Sequence, residues 1–353
     1  MKLIGYLLSR TGHGLLILMG VLVAVFFLFN VLPGDPVALL AGQRSDLATK
    51  EAITKELGLD KSLPKQLLFY MNDVSPLSVH EATEANQQKY EYNTLLNFGD
   101  DVLVWKTPYL RRSFQSNKNV TDILLDHFPG TLWLALSAML IATVFGILFG
   151  VLASLKPHSA LDHTLITTSV LGISVPSFVA AILIAITFGF YWSDWTGLSL
   201  TGQLYEIDPF KGRQLMLRNL LLPAFALGIR PLAVIVQLTR SSMLDVMSQD
   251  YIRTARAKGL NKANVIVGHA LKNALNPVVT AASGWMASLM AGAFFIEYIF
   301  NWKGLGAVTI QAVQNLDFPL VMGATLFVAF LFVLINIFVD LLYAALDPRV
   351  KLD

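Results

Sequence analysis

Positive charge exceeds negative most strongly in one stretch of this sequence, Arg240 to Asn276. It carries Arg240, Arg253, Arg256, Lys258, Lys262 and Lys272 against only Asp245 and Asp250. Its central part reads Asp250-Tyr-Ile-Arg-Thr-Ala-Arg-Ala-Lys-Gly259, then Leu-Asn-Lys-Ala-Asn-Val-Ile-Val-Gly-His269, then Ala-Leu-Lys-Asn-Ala-Leu-Asn-Pro277. Such a run recognises a partner by charge and shape; it does not by itself make or break bonds. The sequence has no cysteine, which excludes a disulfide framework and thiol-based chemistry. His13, His163 and His269 lack the His-Glu-x-x-His spacing of a metal-binding helix. No Gly-x-x-x-x-Gly-Lys-Ser/Thr and no Gly-Lys pair occurs, so this chain cannot form a P-loop. No cofactor is therefore expected on it.

The elements that must position the basic stretch follow from its residue types. Tyr251 to Lys258 is a run of good helix formers with a basic face, and Gly259 can stop it in the left-handed conformation. Asn261 can cap a second helix, and Pro277 marks the entry to the next apolar run. Two short helices meeting at a tight turn fit a groove on a partner, and the small Thr254, Ala255 and Ala257 permit close approach. On pattern alone the stretch fits a solvated basic loop equally well. DNA reading is disfavoured, because both ends are tethered to apolar runs within a few residues.

Those apolar runs define the class. The chain has 353 residues, 55% hydrophobic and 14% charged, against about 25% charge in a soluble domain. A membrane-crossing helix needs about 20 mostly apolar residues. Candidates are Thr11–Leu32, Thr131–Leu155, Thr164–Tyr191 with Pro176 inside it, Leu220–Leu238 with Pro223 and Pro231, Val278–Phe300, and Leu320–Ala345. The sequence thus predicts an all-α polytopic membrane protein of about six transmembrane helices, with a long extracytoplasmic excursion between the first two. The organisation expected is 1–32 for the N-terminus and first span, 33–130 for the excursion, and 131–353 for a core with five spans and the cytoplasmic loop 240–277. Within the excursion, Asp46–Leu57 reads as a helix ending at Gly58, and Glu81–Asn93 as an exposed loop.

Positive charge at the ends of short loops places Met1–Arg10, Lys156–His163, Arg240–Asn276 and Asp347–Asp353 on the inside. Lys211, Arg213 and Arg218, on an outside loop, run against this. Arg230 lies mid-span between Gly228 and Pro231, where a break in the helix is expected. A charge at that depth meets a substrate carboxylate in a pathway, or pairs at a helix interface. Glu297 and Asp340 lie near span ends and read as structural, and Asn336 as a helix-to-helix contact.

The segment Arg253-Thr-Ala-Arg-Ala-Lys-Gly259 resembles the cytoplasmic loop of ABC-transporter permeases, in the version used by the dipeptide/oligopeptide/nickel family. Other stretches are similar to that family in the same order: Pro33-Gly34-Asp35-Pro36; Leu57-Gly58-Leu59-Asp60-Lys61 with Leu63, Pro64 and Gln66; Val120–Ile123 with Pro129, Thr131 and Leu132; Ile296-Glu297, Phe300, Gly304-Leu305-Gly306 and Asp317-Phe318-Pro319; and Asn336, Asp340, Tyr343-Ala344 and Asp347-Pro348-Arg349. Together they cover nearly the whole chain. Trp302-Lys303 departs from the family pattern, and Ser75–Arg112 is longer than the family's counterpart.

The resemblance implies the membrane subunit of a binding-protein-dependent importer in the bacterial cytoplasmic (inner) membrane, with both termini cytoplasmic. It is not an enzyme in itself. A second, similar permease would pair with it, two ATPase subunits would hydrolyse ATP, and an extracytoplasmic solute-binding protein would deliver di- or oligopeptides. Tyr251, Arg253, Thr254, Ala255, Arg256, Ala257, Lys258, Gly259 and Leu260 would form the ATPase-coupling surface. Nickel complexes or other small solutes are the alternative cargo. An ion-coupled secondary transporter would favour inverted repeats and paired mid-span acids, and neither is seen.

Overall fold

The computed structural model describes residues 2–31, 54 and 60–346. In chain order the main elements are α1 (Lys2–Val31), α2 (Leu63–Val74), β1 (Leu77–Glu81), α3 (Glu84–Tyr90), β2 (Asn93–Phe98), β3 (Asp101–Trp105), α4 (Val120–Leu155), α5 (Ala160–Ser174), α6 (Ser177–Ile186), β4 (Tyr205–Asp208), β5 (Gly212–Leu215), α7 (Arg218–Met247), α8 (Asp250–Ala257), α9 (Asn276–Gly292), α10 (Phe294–Ile299), α11 (Leu305–Gln314) and α12 (Phe318–Leu346), with short helical turns at Ser193–Thr196 and Lys272–Ala274. Two π-helical segments, Thr187–Tyr191 and Asn264–Leu271, interrupt the α-helical pattern. The helix expected over Asp46–Leu57 lies outside the described residues, as do Pro33–Pro36 and Asp347–Arg349.

Among the described residues, four helices are long and apolar enough to cross a membrane: Leu8–Phe29, Val120–Leu155, Arg218–Met247 and Phe318–Leu341. A fifth crossing arises if the pair Ala160–Ser174 and Ser177–Tyr191 counts as one, although it bends by 110°. The span expected over Thr164–Tyr191, with Pro176 inside it, is therefore broken. Pro176 has no amide hydrogen and drives Val175 into the extended region, at φ −80 and ψ 132. The span expected over Val278–Phe300 is also divided, into the 17 residues of α9 and the 6 of α10.

The all-α expectation needs correction. The chain is mostly helical but carries two antiparallel sheets, one with strand order β1-β3-β2 and one made of β4 and β5. Alternation explains the first: Val102 and Val104 point to a buried face, while Leu77, Val79 and Trp105 point away from it. The exposed loop expected over Glu81–Asn93 is instead the end of β1, helix α3 and the start of β2. The Thr83 hydroxyl caps α3 by accepting from the amide of Asn86, and Tyr90 and Tyr92 are buried.

The chain divides into two compact units. The smaller is centred on Leu7–Asp126 with Thr309–Phe330. Its core joins α1 to α2 through Tyr70, which stacks on Phe26 with ring centroids 6.1 Å apart and lies under the Arg111 guanidinium. Asp73 collects the surrounding donors: Tyr90 Oη donates to its carboxylate at 2.8 Å, and Arg111 lies 3.6 Å away. The buried Lys106 ammonium donates to the Asp73 carbonyl. Asp317 ties Thr309–Phe330 in, accepting from Ser113 Oγ at 2.5 Å and from the Phe114 amide at 3.0 Å.

The larger unit is centred on His127–Val308. In it α4 and α7 approach closely because glycine faces bulk. A Cβ on Gly146 would sit 2.6 Å from Ile235, one on Gly150 2.5 Å from Thr239, and one on Gly228 2.8 Å from the Ala138 carbonyl. Gly146 and Gly150 form a Gly-x-x-x-Gly pair, the small-residue spacing that lets membrane helices pack backbone to backbone. α7 runs unbroken through Gly228 and Pro231, so the break expected around Arg230 is absent.

His80 gives the smaller unit a pH dependence. Its ring stacks on Tyr90 at 4.1 Å and its Nε2 lies 3.0 Å from Ser78 Oγ. Burial, and then the nearby Lys106 ammonium, push its pKa from 6.5 down to about 4, with Asp73 opposing weakly. The folded form holds the ring neutral, so the unfolded chain binds the extra proton. Stability is complete above 6.5 and drains away as pH falls towards about 4. Amide exchange across Leu77–Trp105, corrected for intrinsic rate, should accelerate over that window. His80→Phe, which keeps a ring on Tyr90 without a titrating nitrogen, should remove the acceleration; an unchanged profile would contradict the assignment.

Candidate coupling segment

The basic stretch folds as two helical pieces joined by a tight turn. α8 ends in a Schellman arrangement: the Leu260 amide donates to the Ala255 carbonyl at 3.4 Å, and the Gly259 amide to the Arg256 carbonyl at 3.0 Å. Gly259 takes φ +78, the left-handed conformation that glycine adopts without a Cβ penalty. Asn261 then caps the next piece, its Oδ1 accepting from the Asn264 amide at 2.8 Å. That piece is π-helical from Asn264 to Leu271.

α8 is sharply two-sided. Ile252 is 0% exposed and Ala255 6%. They pack in a cluster with Met243 from α7 and with Val265, Ala270 and Ala274 from the returning piece. Val151 of α4 and Val246 and Met247 of α7 border the same cluster. Burying Ile252 alone contributes roughly 2 kcal/mol to holding the helix down. The opposite side presents Tyr251, Arg253, Thr254, Arg256, Ala257 and Lys258 to solvent, and Gly259 and Leu260 continue it. Of the residues expected to dock, Ala255 is thus corrected: it faces the chain's own interior, because positions three apart on a helix share a face and Ile252 is already inside. Ile252 is the anchoring residue that the charge pattern passed over.

The polar contacts on α8 stay within the segment. Arg253 lies 3.4 Å from Asp250, both highly exposed, so the pair adds little stability. Asn273 Nδ2 donates to Tyr251 Oη at 2.9 Å, tying the two pieces together. The cations of the outer face remain exposed, Arg256 reaching back to Met247 Sδ of α7 at 3.9 Å.

Just before α8, Arg240 of α7 grips the N-terminus of α5. Its Nε donates to Asp162 Oδ1 at 2.6 Å and its Nη2 to Oδ2 at 2.7 Å. Asp162 also accepts from the His158 amide at 2.8 Å, and its own amide is capped by Ser159 Oγ. A two-pronged guanidinium–carboxylate pair fixes orientation as well as distance. The sequence marks Arg240 only as an inside charge; Asp162, 78 positions away, gives no local signal of the pairing.

Glu297 is fully buried and is a structural hub, as its place near a span end suggests. It accepts from Thr131 Oγ1 at 2.6 Å and from the amides of Gly306 and Ala307 at 2.6 and 3.1 Å. Thr131 Oγ1 in turn accepts from the Leu305 amide at 2.8 Å. A Cβ on Gly304 would lie 2.3 Å from the carboxylate, and one on Gly306 2.3 Å from Phe294 Cα. The Gly304-Leu305-Gly306 spacing therefore exists to admit a carboxylate that caps α11. Trp302 Nε1 donates to the Gly130 carbonyl at 2.9 Å, so the departure from the family pattern at Trp302-Lys303 still closes this turn. Arg230, by contrast, is exposed on α7 and makes no hydrogen bond or ion pair among the described residues. Among the described residues no cluster of His, Asp or Glu could hold a metal ion.

Glu297→Ala strands three buried donors and should lower the unfolding free energy by about 3 kcal/mol, read as a drop in Tm of the purified chain. Glu297→Gln keeps one acceptor oxygen for the Gly306 and Ala307 amides and the full side-chain volume, and should cost clearly less. Equal losses in the two variants would show that the second carboxylate oxygen and its charge, which Gln lacks, are what Glu297 supplies, and that the acceptor Gln retains does not suffice.

The model of the family described as "Binding-protein-dependent transport system inner membrane component" matches residues 146–352. The model for the N-terminal part of such membrane components matches residues 3–135. The chain is 36% identical over 365 residues to the di/tripeptide transport system permease protein DppB of Pseudomonas aeruginosa, covering 99% of both chains. It is 35% identical over 364 residues to the dipeptide transport system permease protein DppB of Escherichia coli, covering 98% of both. It is 33% identical over 351 residues to a putative peptide permease protein of Brucella suis, covering 98% of both. With a helix-turn-helix between apolar helices and matches along its length, the chain belongs to the family of multi-pass inner-membrane components of binding-protein-dependent transport systems.

Proposed function

We propose that this chain is the membrane permease of an ATP-driven importer for di- or oligopeptides, and that Tyr251, Arg253, Thr254, Arg256, Ala257, Lys258, Gly259 and Leu260 form the surface on which an ATPase subunit docks. Peptide cargo is supported by relatives that are di/tripeptide and dipeptide permeases, matched over nearly their whole length. The docking reading rests on one observation: α8 buries Ile252 and Ala255 against α7 and leaves its basic side open. A helix held in this way passes movement of a partner to the end of α7 rather than absorbing it. The system then behaves as a two-state element, biased by ATP on one side and by loaded binding protein on the other.

In this reading α9 and α10 together make a further crossing, giving six. Residues 33–130 are extracytoplasmic, and 131–353 hold the remaining spans and the cytoplasmic loop 240–277. Both termini face the cytoplasm. A second permease, similar but distinct, completes the pathway, with two ATPase subunits below and one binding protein outside. Nucleotide sits on the ATPases, and this chain carries no cofactor.

Gly259→Pro cannot adopt the φ of +78 found there, and deletion of Arg253–Gly259 removes the docking face. Either change should abolish substrate-stimulated ATP hydrolysis by the assembled transporter while the chain still inserts. Normal stimulation in both variants would sink the docking assignment. Arg230 is the candidate for meeting a substrate carboxylate. Arg230→Gln should slow uptake of a free dipeptide several-fold and spare its C-terminal amide; equal effects on the two would place Arg230 outside the pathway.

A further inference from the structure

The β4–β5 hairpin stands largely exposed, with apolar residues held in the open. One face leans on the start of α7: Glu206 Oε1, itself exposed, accepts from Asn219 Nδ2 at 2.7 Å, and the same nitrogen donates to the Gln203 carbonyl at 3.0 Å. Asn219 lies in the first turn of α7 and is buried. The other face pairs Tyr205 with Leu215 and Ile207 with Arg213 across the strands. There Ile207 is 84% exposed, and Arg213 lies over the Tyr205 ring at 3.9 Å. The tip is rigid. Asp208 Oδ1 accepts from the amides of Phe210 and Lys211, both at 2.8 Å, and Gly212 takes φ +71. This turn holds out Phe210, which is 96% exposed.

The surroundings say what covers this face. The hairpin follows the end of the broken span Ala160–Tyr191, where Tyr191 and Trp195 are 74% and 83% exposed. It leads directly into α7, with the Met216 amide donating to the Leu204 carbonyl at its base. Both of its stems therefore leave from ends of membrane-crossing helices. Exposed Trp and Tyr at such ends mark the headgroup level of a bilayer, where an amphipathic ring is more stable than in water or in hydrocarbon. Lys211 and Arg218, both exposed, add positive charge suited to anionic headgroups.

We propose that the 205–215 hairpin is a lipid anchor. It lays Phe210 and Ile207 into the boundary between headgroups and acyl chains, with Lys211 at the lipid phosphates. The occupant of the exposed face is the membrane surface, not a soluble protein. The anchor would brace the base of α7, the helix whose other end carries Met243 of the coupling cluster.

The absence of cysteine makes the test direct. The full chain, carrying a nitroxide at Phe210→Cys, is placed in nanodiscs of phosphatidylethanolamine and phosphatidylglycerol. Collision with oxygen and with a water-soluble nickel chelate reports the depth of the label. Labels at Leu183→Cys, exposed on α6, and at Gln249→Cys, exposed beside α8, supply the lipid and aqueous references. The label at 210 should fall between the two references, and one at Ile207→Cys should do the same. A reading at 210 equal to that of Gln249 overturns the proposal, whether or not added binding protein then shields the site; shielding would identify a protein-docking finger instead. The Leu183 label establishes insertion independently. Failure of the anchor is thus distinct from failure of the transport reading, which the ATP hydrolysis assay addresses.

Discussion

A helix can transmit a partner's movement only if it is fastened to what it must move. Here the fastening is the burial of Ile252 and Ala255 among Met243, Val265, Ala270 and Ala274. Close-packed apolar clusters have low compressibility, so a displacement at the surface of α8 reaches the end of α7 instead of being lost in a soft loop. Everything else in the larger unit extends that fastening. Arg240 locks the same end of α7 to the start of α5 through Asp162, with two hydrogen bonds that fix angle as well as distance. Further along, Gly146, Gly150 and Gly228 let α4 and α7 meet backbone to backbone.

Glu297 solves a related problem at the turn that follows α10. A helix N-terminus leaves amide hydrogens without intrahelical partners, and in a dry environment each costs free energy. The Glu297 carboxylate takes two of them, at Gly306 and Ala307, while Thr131 takes the Leu305 amide and donates to the same carboxylate. The glycines on either side of Leu305 are there for space: no larger residue leaves room for the carboxylate at 304 or for the Phe294 backbone at 306. This is the physical content behind the Ile296-Glu297 and Gly304-Leu305-Gly306 pattern.

What could be read from the sequence was what local chemistry dictates. The turn at Gly259, the cap at Asn261 and the long apolar helices α1, α4, α7 and α12 follow from propensity and from runs of apolar residues. The two-sidedness of α8 was hidden, because Ala255 looks like any small docking residue until Ile252 is seen to share its face. The Asp162–Arg240 pair joins positions 78 apart and leaves no periodic trace. The first sheet was missed for a related reason. Its strands are short, and their outward faces carry apolar residues such as Val79 and Trp105, which blurs the alternation that marks a half-buried strand. Pro176 was visible, but whether a proline kinks a helix or ends it depends on what neighbours can satisfy the freed carbonyls.

The central claim is that α8 touches the ATPase with one face and its own spans with the other. In the cysteine-free chain, single cysteines placed in turn at Tyr251, Arg253, Thr254, Arg256 and Lys258 can be treated with a short bifunctional maleimide in the assembled transporter. The account predicts cross-links from these positions to an ATPase subunit, and none from cysteines at Ile252 or Ala255. Cross-links that form equally from both faces, or from neither while a cysteine at His158 reacts, would contradict it.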